Sequence, residues 1–377
     1  MTTIVDSISQ AGSIRINQLA TEAQRAGRDV TVLSLGEAFF DIPMYDLARI
    51  DFTRGYHYSD SRGLPSLRRR IADSYLEEHG VAANPETNVL VSTGSKMCVY
   101  LALMALLEPG DEVLVHEPYW LSYPAQVRLA RGVSVAVPHW TRAPGFAEHF
   151  TPRTRVVILN NPNNPAGSVY GAESLRHIYE QCRRHGATLL VDEAYSEFVL
   201  DGSFTTSARL DPGLEDLVIV NSFSKNMGMS GWRLGYMLAH EKLMADVLKL
   251  NQHLVTCAPT LLQMYCDTYF EEIRRCVAPQ IRAVVEKRRR IQGVMDRLGL
   301  RSMSGASTFY FLVDIAGSGL RSEEYSERLL REHSIAVVPG RYYGESTDRF
   351  VRVGVGTESE ARIEAALEKM RDTLGPR

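Results

Sequence analysis

Cysteine is scarce in this chain of 377 residues. Its five cysteines, Cys98, Cys182, Cys257, Cys266 and Cys276, are odd in number, and none stands in a Cys-x-x-Cys spacing. Neither a disulfide framework nor a zinc site is suggested, and buried free thiols are the expected state. No apolar run approaches the length that spans a bilayer, and Met1–Ser13 lacks a basic start followed by an apolar block. The expectation is no membrane partner, no leader and a cytoplasmic location. Charge of one sign is missing too: 42 Lys and Arg stand against 45 Asp and Glu, with no extended basic stripe. That removes the footprint of a nucleic-acid or anionic-membrane partner. Two arginine-rich stretches, Arg68–Arg70 and Lys287–Arg290, alternate with apolar residues and read as solvated helix faces. There is no internal repeat and no low-complexity linker.

What the chain does have is length and a regular alternation of elements. At this length one ordinary core is not enough, and two domains, or one large domain with a smaller satellite, are expected. Short, nearly all-apolar runs mark strands buried on both faces: 88–92, 112–116, 133–137, 155–159, 187–191, 217–220 and 234–239. Amphipathic stretches between them, such as 96–107, 122–131 and 172–185, predict helices. The pattern predicts an α/β fold with a mostly parallel sheet sandwiched by helices. From about Leu261 it changes to long helical sequence through Leu298. A smaller α+β unit follows, with strands near 308–314, 335–338 and 350–355, a helix near 322–333, and a closing helix from Glu358. The expected division is an N-terminal segment 1–40 packing with the small domain, a large domain 41–275 and a small domain 276–377.

Ligands of open α/β sheets collect beyond the carboxyl ends of the strands, where helix amino termini also point. The unusual residues of this chain fall in those loops: Gly94-Ser95-Lys96, Pro118-Tyr119-Trp120, Asn160 to Gly167, Asp192 to Tyr195, and Ser222 to Lys225. Gly94 and Ser95 open a helix whose free N–H groups suit a phosphate, and Ser222, Ser224 and Arg233 add hydroxyls and a cation. Lys225, just after a buried strand, is poorly explained as structure and well explained as a Schiff-base nucleophile. Asp192 ends an apolar strand, where a carboxylate needs a cationic partner such as a protonated pyridine nitrogen. Taken singly, other residues have plain readings: Trp120 as core, Tyr58 and Tyr195 as half-buried surface, Arg352 as an exposed ion pair, Asn164 as a turn former before Pro165.

Together these residues resemble a known family. Ser222-Phe223-Ser224-Lys225 with Gly231-Trp232-Arg233-Leu234-Gly235-Tyr236, preceded by Asn164-Pro165-Ala166-Gly167 and Asp192-Glu193-Ala194-Tyr195, is similar to the class I aminotransferases of fold type I. The resemblance runs from Leu35-Gly36-Glu37, through Tyr58 to Gly63, to Pro339-Gly340 and Val351-Arg352-Val353. It implies pyridoxal 5′-phosphate held as a Schiff base on Lys225, which then moves the proton between the substrate α-carbon and the cofactor. Asp192 would pair with the ring nitrogen, Asn164 and Tyr195 with the phenolic oxygen, and Trp120 would stack on the ring. Gly94, Ser95, Ser222, Ser224 and Arg233 would surround the phosphate, with Lys96 among the cofactor-binding residues and Tyr58 reaching the phosphate from the other subunit of a homodimer. Arg352, with the Gly36 backbone and Asn164, would hold the substrate carboxylate. No metal is expected.

The implied reaction is ping-pong transfer of an L-amino acid's amino group to a 2-oxo acid. The alternative is another reaction on the same scaffold: elimination, replacement, cyclisation or oxidation of a specialised amino acid. A third class, a regulator that keeps such a domain as a sensor, would need an attached DNA-binding domain, for which a resemblance starting by Leu35 leaves no room. Two departures from the family pattern bear on the substrate side, Ala38-Phe39 where Pro-Asp is usual and extra residues in Gly305-Ala306-Ser307-Thr308-Phe309-Tyr310, while Ala166 for Thr is a conservative change in a tight loop. Lys96 occupies a place where some relatives contact the distal carboxylate of an acidic substrate, a hint at an acidic or polar side chain.

Overall fold

The computed structural model describes residues 4–8, 10 and 12–375. Residues 1–3, 9, 11, 376 and 377 of the expected terminal segments lie outside the described residues. Strands among them are β1 (Thr31–Val32), β2 (Val89–Ser92), β3 (Glu112–His116), β4 (Val133–Val137), β5 (Thr154–Asn160), β6 (Thr188–Asp192), β7 (Leu217–Ser222), β8 (Gly235–Ala239), β9 (Tyr310–Asp314), β10 (Ile335–Ala336), β11 (Val338–Pro339) and β12 (Phe350–Gly354). Seven of them form one sheet in the order β2-β8-β7-β6-β5-β3-β4. Within it β8 runs antiparallel to both neighbours, and the other pairs are parallel.

The apolar runs of the central strands build this sheet because both faces are covered there, whereas at the edge β4 leaves Val133 and Ala136 exposed and is not buried on both faces as expected. Alternate residues of one strand enter different layers: Leu189 and Val191 join one core, and Leu190 joins the other. The helix Ser95–Leu106 covers the Leu190 side with Val99, Leu101 and Leu103. Helix Ala172–Arg184 covers the opposite side, burying Leu175, Ile178, Tyr179 and Cys182 at helical spacing. Such continuous burial also explains why these strands were readable as apolar runs and not as alternating ones.

The remaining strands form a three-stranded antiparallel sheet, β11-β12-β9, and a parallel pair, β1-β10. The single strand expected at 335–338 is thus two. Val337 carries the chain from the pair with β1 to the edge of the other sheet, where Pro339, lacking an N–H, is tolerated. The N-terminal helix Gly12–Arg25 buries Ile16 and Ala20 against Leu330 and Ala336 beside that pair. Helix Phe270–Leu298 runs unbroken through residue 275, so one helix, not a linker, spans the change of layer.

The arginine-rich stretches are not wholly solvated faces. Arg68 and Arg288 are buried, because each turns inward to hold backbone carbonyls: Arg68 those of Gly63 and Pro85 in loops, Arg288 that of Tyr310 at the start of β9. Among the described residues no helix is long and apolar enough to cross a membrane.

Candidate active site

The ends of β2, β5, β6 and β7 and the start of β8 open on one cavity of about 450 Å³, within the range of ordinary small-molecule sites. Its floor is polar where the strands stop being apolar, at Asn160, Asp192 and Ser222. Its far wall comes from distant parts of the chain: Gly36, Tyr310 and Arg352.

One end of the cavity is a cradle. Gly94 has φ of +89°, and a Cβ there would lie 2.6 Å from an Arg233 guanidinium nitrogen. A Cβ on Gly235 would meet the Ser95 nitrogen at 2.3 Å. Both glycines therefore let β8 and the opening of helix Ser95–Leu106 close on one small space. Ser222 caps the short helix Phe223–Asn226 by accepting from the Ser224 N–H at 3.0 Å. Arg233 donates to Ser224 Oγ at 3.3 Å and to the Ser230 carbonyl at 2.8 Å. Two hydroxyls, a guanidinium and a helix amino terminus face the same point, a donor set suited to a phosphate.

Lys225 and Asp192 follow adjacent, paired strands. The Lys225 ammonium donates to the Gly36 carbonyl at 2.7 Å. Removal from bulk water pulls it down to about 8, with Arg352 and Arg233 adding and Glu37 opposing. It is thus closer to a neutral amine than an ordinary lysine, as a nucleophile requires. Asp192, 6% exposed, accepts from Tyr123 Oη at 2.8 Å and from the Ala194 N–H at 3.1 Å. Burial pushes its carboxyl up to about 6, against those two hydrogen bonds. Among the described residues no cation pairs with it.

Arg352, in the middle of β12, is 3% exposed. Its guanidinium lies 4.6 Å from the Tyr310 ring centre and 5.5 Å from that of Tyr343. It donates to the Ser34 carbonyl at 2.7 Å and to Asn164 Oδ1 at 3.4 Å, while Nε has no partner. Asn164 in turn donates to Tyr195 Oη at 3.2 Å, and that oxygen lies 3.0 Å from Tyr310 Oη. A buried guanidinium with no carboxylate partner is a ready receptor for one.

Of the residues singled out from sequence, Gly36, Ser95, Lys96, Trp120, Asn164, Asp192, Tyr195, Ser222, Ser224, Lys225, Arg233 and Arg352 line this cavity. Gly94 lies directly behind it. Tyr58 does not enter it and is 86% exposed. Sequence reasoning missed Ser13, Asn17, Leu121 and Ser230, which line the cavity, and Tyr123, which braces Asp192, and it noted Tyr310 only within a segment bearing on the substrate side, without giving it a role. It noted the Asn160 loop without assigning Asn160, whose side chain accepts from the Asn164 N–H at 2.7 Å and donates to the Asp192 carbonyl at 2.9 Å. Its signal was the one read for Asp192, a polar residue ending an apolar strand.

The family profile described as "Aminotransferase class I and II" matches residues 27–370. The chain belongs to the class I and II aminotransferases. It is 33% identical over 386 residues to an aspartate aminotransferase of Geobacillus stearothermophilus, covering 97% of this chain and 96% of that one. It is 31% identical over 354 residues to aromatic-amino-acid aminotransferase 2 of Thermococcus litoralis, with 91% of each covered. Its fold superposes on the aspartate aminotransferase of Thermus thermophilus solved with maleate, with a TM-score of 0.92, 29% identity and 99% of both chains covered. This aminotransferase is therefore an enzyme, a transferase of fold type I. Its family implies pyridoxal phosphate, and the residues present fit that group. They offer a glycine-lined anion cradle, a lysine drawn toward neutrality, and a buried carboxylate lacking the cation that a pyridinium would supply.

Proposed function

We propose that this cavity holds pyridoxal 5′-phosphate on Lys225 and transfers the amino group of an L-amino acid with an acidic or polar side chain to a 2-oxo acid. The observation that carries the reading is the joint placement of Lys225 and Asp192, on adjacent strand ends, facing one cavity with the phosphate cradle at its end. Gly94, Ser95, Ser222, Ser224 and Arg233 bind the phosphate, and Lys96 stands beside them. Asp192, braced by Tyr123, holds a proton at the ring nitrogen, which raises that nitrogen's basicity. Asn164 and Tyr195 face the phenolic oxygen, and Trp120 covers the ring. Bound there, the cofactor supplies a carbonyl that accepts the amino group and an electron sink for the α-carbon. Lys225 first forms the link and then, once released, moves the proton at the substrate α-carbon. Arg352 orients the α-carboxylate, with the Gly36 backbone nearby.

Lys96 supports the side-chain preference: its ammonium lies 4.9 Å from the Trp120 ring centre and meets no acceptor among the described residues. With Arg233 serving the phosphate and Arg352 the α-carboxylate, this cation is left for a distal group. A homodimer with shared sites is supported by the exposed Phe39, Met44, Tyr56 and Tyr58 in the segment preceding the first helix of the large sheet. The division at residues 40 and 275 belongs to the same proposal, with the N-terminal helix packing on the C-terminal unit.

The test is a half-reaction. Holoenzyme given its best amino acid and no acceptor should release about one equivalent of 2-oxo acid per site and lose its visible band. Added 2-oxoglutarate should restore the band. Sustained turnover without acceptor, releasing ammonia, consuming oxygen or yielding a cyclised product, would replace transamination by another reaction of the same scaffold.

A further inference from the structure

Tyr310 opens β9 in the segment where extra residues depart from the family pattern. It is fully buried, and its carbonyl is held by Arg288 Nε at 2.9 Å. Its hydroxyl has one neighbour for hydrogen bonding among the described residues, the hydroxyl of Tyr195 at 3.0 Å. Tyr195 has one proton to give and two lone pairs to offer. Asn164 Nδ2 already donates to it, and the orientation of that amide is set by Arg352, which donates to the amide oxygen. An anionic oxygen facing Tyr195 from the cavity accepts the Tyr195 O–H as a hydrogen bond. The contact with Tyr310 can then be kept only with Tyr310 as donor.

We propose that Tyr310 is a positioning residue that acts through Tyr195, completing a chain of donors from the carboxylate-binding side of the cavity to the oxygen that Tyr195 faces. The proposal rests on the reading that Tyr195 faces the phenolic oxygen of the cofactor. Successive hydrogen bonds polarise one another, so a donor on the Tyr195 oxygen makes its O–H a stronger donor in turn. The Arg352 guanidinium over the Tyr310 ring works in the same direction: burial raises the Tyr310 phenol, and Arg352 opposes that rise. Tyr310 thereby ties the group that receives the substrate carboxylate to the group that sets the electronics of the cofactor.

The experiment titrates the visible absorbance of holoenzyme with pH in wild type, Tyr310→Phe, Tyr195→Phe and the double variant. Tyr310→Phe keeps the ring under Arg352 and removes only the hydroxyl. Weaker stabilisation of the anionic oxygen favours the protonated lysine–cofactor link, so the midpoint should rise by about half a unit. With it kcat should fall about three- to tenfold, and KM for the amino acid should change less. In the Tyr195→Phe background the second substitution should move the midpoint no further. An unchanged midpoint in Tyr310→Phe, or an equal shift with and without the Tyr195 hydroxyl, overturns the proposal. Absence of a visible band from reconstituted wild type would instead overturn the underlying assignment of Lys225.

Discussion

The two halves of the cavity are built in opposite ways. On the cofactor side, Ser222, Asp192 and Arg233 sit on or just beyond strands of one sheet and each has a partner near in sequence, the Ser224 N–H, the Ala194 N–H and the Ser230 carbonyl, while Asp192 and Lys225 also reach Tyr123 and the Gly36 carbonyl. On the carboxylate side, Arg352 is held by Ser34 and Asn164, 318 and 188 residues away, and by two rings. The first half is fixed largely by the strands and turns that carry it, and the second by long-range assembly alone. Changes in the first should therefore remove chemistry while sparing the fold, and changes in the second should alter which ligand is accepted.

The contrast breaks most sharply at Lys225. Lys225→Ala should leave a folded protein that binds pyridoxal phosphate weakly but loses its visible band and about three orders of magnitude or more in turnover. Retained activity with an unchanged spectrum would place the nucleophile elsewhere. If Asp192 pairs with the ring nitrogen as proposed, Asp192→Ala should slow α-proton removal about a hundred- to a thousandfold. Single-turnover mixing reads this rate, and an unaltered rate and spectrum would break the pairing. Arg352→Ala tests the other half. It should weaken α-amino acids by about 2–4 kcal/mol through loss of a charge-assisted bidentate pair, and leave amines without the carboxylate nearly unaffected. Equal losses for both classes would make Arg352 structural.

A subtler test asks whether the cofactor half is complete within one chain. On the proposed shared-site reading, in which Tyr58 of one subunit donates to the phosphate of the other, Tyr58→Ala should weaken cofactor binding about tenfold. Mixing it with Lys225→Ala should restore activity, since one site of each heterodimer then carries neither defect. No recovery despite verified subunit exchange would leave Tyr58 outside the site.

The smallest effect separates Asp192 from its neighbour. Glu193 is also buried, yet it lies on the other side of β6's end and is satisfied by Thr206 Oγ1 at 2.8 Å and the Ser207 N–H at 2.6 Å. Burial pushes its carboxyl up to about 7, opposed by those hydrogen bonds. A folded-state value above the ordinary 4.5 means the folded chain keeps the proton longer, so this contribution to stability is full below about pH 4.5 and falls as pH rises through 7. Glu193→Gln should flatten that part of the Tm-against-pH curve while leaving the cofactor spectrum in place. An unchanged slope would show that Glu193 is ionised throughout.

The same contrast explains what the sequence could reveal. Strand ends where an apolar run stops at Asp192 or Ser222, and loops rich in Gly, Asn and Pro, are local signals, and nearly all of the cofactor side was legible from them. Tyr310 and Asn17 gave no such signal. One opens a strand as an aromatic residue among aromatics, and the other lies on an amphipathic helix, so only tertiary placement turns them toward the cavity. The same blindness hid the burial of Arg68 and Arg288. Arginine in a helical pattern looks solvated unless the carbonyls that capture it can be seen.

The reversed strand β8 has a consequence for how this scaffold can vary. Because Gly235 pairs with Ser222, the chain leaves and re-enters the sheet at the same edge, and residues 223–234 form a closed cassette. Lys225 and Arg233 sit near its two ends, so the Ser222–Gly235 pairing holds nucleophile and anion cradle at one span. Insertions here would move the two reactive ends of the ligand relative to each other, whereas loops at the opposite edge are free to lengthen. In a lineage exploring new substrates, this segment should resist changes of length while the loops that line the substrate side accept them. A designer seeking a new reaction on this frame would leave the cassette untouched and diversify around Ala38, Leu121 and Gly305–Tyr310.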